Sequence, residues 1–165
     1  MRRFFVFSLL MVSVFSSCAI ANGPKGKLIY CSYASVGAGA IGTEYCELIA
    51  DPGTDPKVVV VIDADCHFAD ERRCEYPVDA AVVDSLQQKL AAIKVWKLDG
   101  YSYEEPITGG YAHRIHVEYD SGEKITARWY GHGVKDAVVN AYQLIAQFLS
   151  PWRDKLDAEQ PQKLR

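Results

Sequence analysis

The chain has 165 residues, of which 18 are Lys or Arg and 21 are Asp or Glu, giving a formal net charge of −3. That length, with 49% hydrophobic residues, suffices for one domain with a proper core. The acidic balance offers no basic face and so argues against a nucleic-acid binder, and nothing after the N-terminal segment is long and apolar enough to cross a bilayer as a helix.

The chain opens with Arg2 and Arg3, continues through an apolar run from Phe4 to Phe15, and reaches Ala19-Ile20-Ala21 ahead of Asn22. Charge, short apolar core and an A-x-A site in that order read as a secretory signal peptide over residues 1–21. The apolar run falls short of the roughly 20 residues a membrane-spanning helix needs. Removing the leader takes away two arginines and no acid, so the exported chain is more acidic still. Phe15-Ser16-Ser17-Cys18 also resembles the lipobox of bacterial lipoproteins, with Phe15 where Leu is usual. Cleavage after Ala21 gives a periplasmic or secreted protein. Lipidation at Cys18 gives one anchored in the cell envelope, and both readings stay open.

Either cleavage leaves Cys31, Cys46, Cys66 and Cys74. An even number of cysteines in an exported chain reads as disulfides. Local pairings are expected, Cys31 with Cys46 across a hairpin and Cys66 with Cys74 across a polar loop, worth about 2–4 kcal/mol each. The rival, one zinc site built from all four, lacks a C-x-x-C pair and is disfavoured by an oxidising compartment.

Residues 27–35 and 43–50 read as strands joined by the glycine-rich Val36 to Gly42. Setting Cys31 opposite Cys46 places Ile29 opposite Leu48 and Leu28 opposite Ile49, so the apolar residues match. Val58 to Ile62 is a β-branched run of the kind covered on both faces. Asp63 to Pro77 reads as a stapled polar loop. Within it Asp63, Asp65, His67 and Asp70 are hard ligands in no calcium-loop spacing, so no metal site is assigned and no cofactor is expected. Asp79 is placed to cap a helix over about Ala80 to Lys94, with Val82, Leu86, Leu90 and Ile93 inward and Asp84, Gln87, Gln88 and Lys94 facing water.

Tyr111 to Trp129 is the clearest hairpin. A three-residue turn, Asp120-Ser121-Gly122, pairs Val117 with Ile125, Ile115 with Ala127 and His113 with Trp129. A two-residue turn would set Val117 against Thr126 and lose the apolar match. A second helix is expected from about Val134 to Leu149, with Val134, Val138, Ala141, Ile145 and Phe148 buried and Pro151 as its stop. Residues 153–165 then form a polar, frayed tail. The expectation is one α+β domain over 22–152, in the order ββ-β-α-ββ-α, with an antiparallel sheet of about five strands and two helices on one face.

The run Trp96-Lys97-Leu98-Asp99-Gly100-Tyr101, with Gly109 to Tyr119 and Ser121 to Ile125, resembles a pattern in small exported bacterial domains of unknown function. The resemblance covers about a third of the chain and implies fold and export, with no activity to carry over.

Candidate functional residues lie first on the outward face of the second hairpin. There Arg114 falls opposite Arg128, His116 opposite Thr126 and Glu118 opposite Lys124. Two opposed arginines repel unless an anion joins them. That anion is either a ligand group, held by Arg114, Arg128 and His132 at the start of the second helix, or an acid of the chain such as Glu118. His113 and His116 point to opposite faces and form no metal pair; His113 reads as a satisfied core or edge residue. Glu104-Glu105 and Asp63/Asp65 read as surface acids rather than catalytic pairs. Tyr101, Tyr103 and Tyr111 flank a glycine-containing loop. They either cover the core beside Trp96 or present an adaptable contact surface. The leading expectation is a non-enzymatic envelope module that binds a protein or an anionic surface ligand. The alternatives are an exported hydrolase using the loop carboxylates or the Arg114/Arg128/His132 face, and a structural lipoprotein anchored through Cys18. The sequence does not set the oligomeric state.

Overall fold

Alternating apolar and polar side chains build seven strands and two helices in the computed structural model, which describes residues 23–37, 43–62, 72–106 and 109–160. Residues 1–22, with Cys18, and residues 63–71, with Cys66, Asp63, Asp65, His67 and Asp70, lie outside the described residues. The elements are β1 (Leu28–Gly37), β2 (Thr43–Ile49), β3 (Lys57–Ile62), β4 (Arg72–Pro77), α1 (Ala80–Ala92), β5 (Tyr101–Glu104), β6 (Tyr111–Tyr119), β7 (Lys124–Tyr130) and α2 (Asp136–Glu159). They form one sheet in the order β4-β3-β2-β1-β6-β7-β5. All neighbours are antiparallel except β5, which runs parallel to β7.

The α+β class and the two helices are as expected; the sheet is larger and mixed. Strand β4 was hidden because Arg72, Arg73 and Glu75 read as loop. In fact Arg72, Cys74 and Tyr76 turn to the core side and Arg73 and Glu75 face outward. Burying Arg72 is tolerable because its guanidinium pairs with Asp157 at 2.8 Å and donates to the Gln160 carbonyl at 2.6 Å. Strand β5 is only four residues long, too short for its alternation to stand out. Val58, Val59 and Val60 of β3 are fully buried, but only Val58 and Val60 join the core under the helices; Val59 lies on the opposite face.

The second hairpin has the expected register, with Tyr119 N donating to Glu123 O and Gly122 in the left-handed region at φ +92°. The first hairpin does not. Cys31 lies opposite Leu48, and Cys46 opposite Tyr33. The expected register is off by two residues, a slip that keeps every side chain on its own face, so apolar matching could not detect it. Cys31 and Cys46 are therefore diagonal neighbours on the core side, and Cys31, Cys46 and Cys74 are free thiols. Burial raises both inner thiols, Cys46 to about 12, so they stay protonated.

Both helices cover one face. Helix α1 buries Val83, Leu86 and Leu90, one position off the expected stripe at its start, and leaves Ile93 exposed. Asp79 sits at its N-cap without a side-chain cap bond. Gln87 does not face water; it accepts from Leu28 N at 2.8 Å and donates to Gly26 O at 3.1 Å, tying down the segment before β1. Helix α2 begins at Asp136 rather than Val134 and runs through Pro151 to Glu159. Pro151 cannot donate to the Gln147 carbonyl, and the Ser150 hydroxyl donates to it instead at 3.0 Å. The last turns are held by fully buried Leu156, by the Arg72–Asp157 pair, and by Tyr76, which donates to Glu159 at 2.9 Å. Residues 153–159 are thus packed helix and not a frayed tail.

Candidate functional site

The sheet face away from the helices carries polar side chains in rows that cross the strands. Pairing sets Arg73, Val61, Tyr45, Ala34, Arg114, Arg128 and Ser102 in one row. Glu75, Val59, Glu47, Ser32, His116 and Thr126 form the next. Small or β-branched Ser32, Ala34 and Val59 are its buried floor. The apolar pairs on the opposite face fix this order, since they hold the β6–β7 register.

Arg114 and Arg128 are directly opposite and both exposed. The Arg128 Nε donates to Ser102 Oγ at 3.2 Å, and among the described residues neither guanidinium has an ion-pair partner. The acid expected between them is engaged elsewhere. Glu118 meets His116 Nε2 at 2.6 Å and Lys124 Nζ at 2.8 Å. Its bonds to His116 and then Lys124 hold its carboxyl below the ordinary value of 4.5. The other ring nitrogen of His116, Nδ1, lies 2.7 Å from Thr126 Oγ1. A hydroxyl, an imidazole and a carboxylate are thereby linked in series.

Beside this chain, the Tyr30 ring stands edge-on to His116 at 5.6 Å between centroids. The Tyr30 hydroxyl donates to Glu47 at 2.6 Å and lies 2.5 Å from the Tyr45 hydroxyl, which also donates to Glu47. Burial, with the Glu47 bond second, raises both phenols and keeps them as donors.

The other sequence candidates are elsewhere. Tyr101 and Tyr103 lie half-buried on the helix side, packed against the core with Trp96. The Tyr101 hydroxyl accepts from Lys135 N at 3.3 Å. Tyr103 crowds Gly133 so closely that a Cβ there would fall 2.2 Å from its hydroxyl. His132 is exposed, and its amide donates to Glu105 Oε2 at 2.7 Å. Because α2 starts four residues later, His132 does not open the helix. Glu104 and Glu105 likewise form no carboxylate pair, since Glu105 is taken up by this loop. His113 stacks on Trp129 at 5.1 Å, and burial lowers its pKa, but its buried Nδ1 has no hydrogen-bond partner and is not satisfied as expected.

A groove of about 530 Å³ between α1 and α2, lined by Lys89, Asn140, Gln143, Leu144, Gln147 and Phe148, lies on the helix side. Among the described residues no three His, Cys, Asp or Glu side chains converge as a metal site would need. No protein-family model matches the chain, and no curated protein shows significant similarity to it.

Proposed function

We propose that the chain is an exported cell-envelope module that binds an anionic group on its open sheet face, with Arg114 and Arg128 as the recognition pair. The observation that carries this reading is the opposed guanidinium pair left without a carboxylate while Glu118 is held by His116 and Lys124. Like charges directly across a ladder destabilise it, and an incoming anion relieves that repulsion. Guanidinium forks suit carboxylate and phosphate groups of a protein or surface ligand. Export rests on the leader over 1–21, with anchoring through Cys18 as the variant form of the same module.

The test is recovery of a partner from envelope extract, together with calorimetric titration of polygalacturonate, a carboxylate polymer, into the wild type and variants. A hydrogen bond to a charged group is worth about 1.5–3 kcal/mol, so Arg128→Ala or Arg114→Ala should weaken binding roughly ten- to a hundredfold. Tyr103→Ala, on the other side of the sheet, should leave it unchanged. Equal affinity in the wild type and both arginine variants would discard the reading.

A further inference from the structure

We infer that Thr126, His116 and Glu118 form a nucleophile, base and orienting acid for ester hydrolysis, taking esters whose acyl part carries an acid group for the neighbouring arginines. The acid preference rests on the anion-binding reading; the relay itself rests on geometry.

The two links, 2.7 Å from Thr126 Oγ1 to His116 Nδ1 and 2.6 Å from His116 Nε2 to Glu118 Oε1, lie within the range of an activated nucleophile. Glu118 is an ionised acceptor fixed from its other side by Lys124. The Nε2 position must therefore carry the proton, which leaves the Nδ1 lone pair to face the Thr126 hydroxyl. All three groups are half-buried and stand on paired strands rather than loops, so the arrangement is held by the ladder. The core-side pairs Val117–Ile125 and Ile115–Ala127 already set the register, so the hairpin does not need this chain to hold its pairing.

In the reaction, Thr126 Oγ1 attacks the ester carbonyl carbon as its proton passes to His116 Nδ1, and Glu118 stabilises the resulting imidazolium. The Thr126 amide is engaged by Asp99 at 3.0 Å and is not available to the oxyanion. The developing charge falls instead to Arg128, two residues on along the same face. The carbonyl re-forms, the alcohol leaves with the proton from Nδ1, and the acyl group remains on Thr126. A water then gives its proton to Nδ1 and attacks the acyl carbon, and Thr126 leaves with that proton. The balance is ester plus water to acid plus alcohol. Thr126, His116 and Arg128 are catalytic residues; Glu118 is a positioning residue.

The experiment is stopped-flow hydrolysis of mono(4-nitrophenyl) terephthalate, whose free acid cannot reach its own ester, with peptide mass mapping of the quenched protein. The expected result is a burst of about one nitrophenolate per chain and a terephthaloyl ester on Thr126. Thr126→Val and His116→Gln should lose the burst, while Thr126→Ser, which keeps the hydroxyl, should retain it. Glu118→Gln should slow acylation on the order of tenfold and shift its pH profile. Arg114→Ala should raise KM for this ester, and Arg128→Ala should lower kcat for this ester and for 4-nitrophenyl acetate alike. No burst from the wild type, an adduct at another residue, or a full burst from folded Thr126→Val would overturn the relay. Binding of terephthalate itself separates the two readings: arginine-dependent binding without a burst sinks the relay alone, and a burst without such binding sinks the acid preference alone.

Discussion

Glu118 decides the electrostatics of the open face. It is the acid nearest in sequence to the arginine pair, yet it bonds along its own strand to His116 and across to Lys124. Because its folded pKa is lowered, its contribution to stability is full above the ordinary value of 4.5 and is lost as pH falls through the depressed value. Glu118→Gln should therefore cost about 1 kcal/mol at pH 7, discounted for partial exposure, and the gap from the wild type should close in acid. Thermal melts from neutral pH down to about pH 3 check this; a gap that does not change with pH would contradict it. The sequence revealed which residues stand opposite one another here, because the Val117–Ile125 and Ile115–Ala127 matches leave one register. It did not reveal the bonds. Register places Cβ atoms, whereas His116 reaches both across to Thr126 and along to Glu118, and that choice is made by side-chain rotamers.

Among the elements, β4 and the end of α2 depend on each other. Arg72 is buried because α2 brings Asp157 and the Gln160 carbonyl to it, and α2 continues past Pro151 because β4 offers Arg72 and Tyr76. Each segment looks polar alone, and so the sequence suggested a loop and a frayed tail. Only the pairing makes them structure. Leu156→Ala should cost about 2–5 kcal/mol, as for other fully buried leucines. Arg72→Ala should cost about 1–3 kcal/mol through lost charge-assisted bonds. Urea denaturation would measure both; a loss under about 0.5 kcal/mol for Leu156→Ala would mean that the last turns are not packed. The first hairpin was hard to read for a different reason. A two-residue slip changes no side chain's face, so the pattern that fixed β6 against β7 could not choose between two registers for β1 and β2.

At the scale of the whole molecule, the sheet separates two kinds of surface. One face is sealed by α1 and α2 over a core running from Tyr76 to Trp129, and it takes Tyr101, Tyr103, His113 and the thiols of Cys31 and Cys46 with it. The other face keeps the arginines, the Thr126–His116–Glu118 chain and the Tyr30–Tyr45–Glu47 cluster together. The two patches that looked like alternative recognition sites in the sequence thus belong to opposite sides, and the open side is the one with the opposed guanidinium pair. Chemical-shift mapping of the domain against inorganic phosphate tests that assignment most directly. Saturable shifts are expected at the Arg114 and Arg128 Nε–H signals and at Ser102 and Thr126, with Tyr101, Tyr103 and α2 unmoved. Shifts centred on the tyrosines or the helix groove, or none at the two arginines, would contradict it.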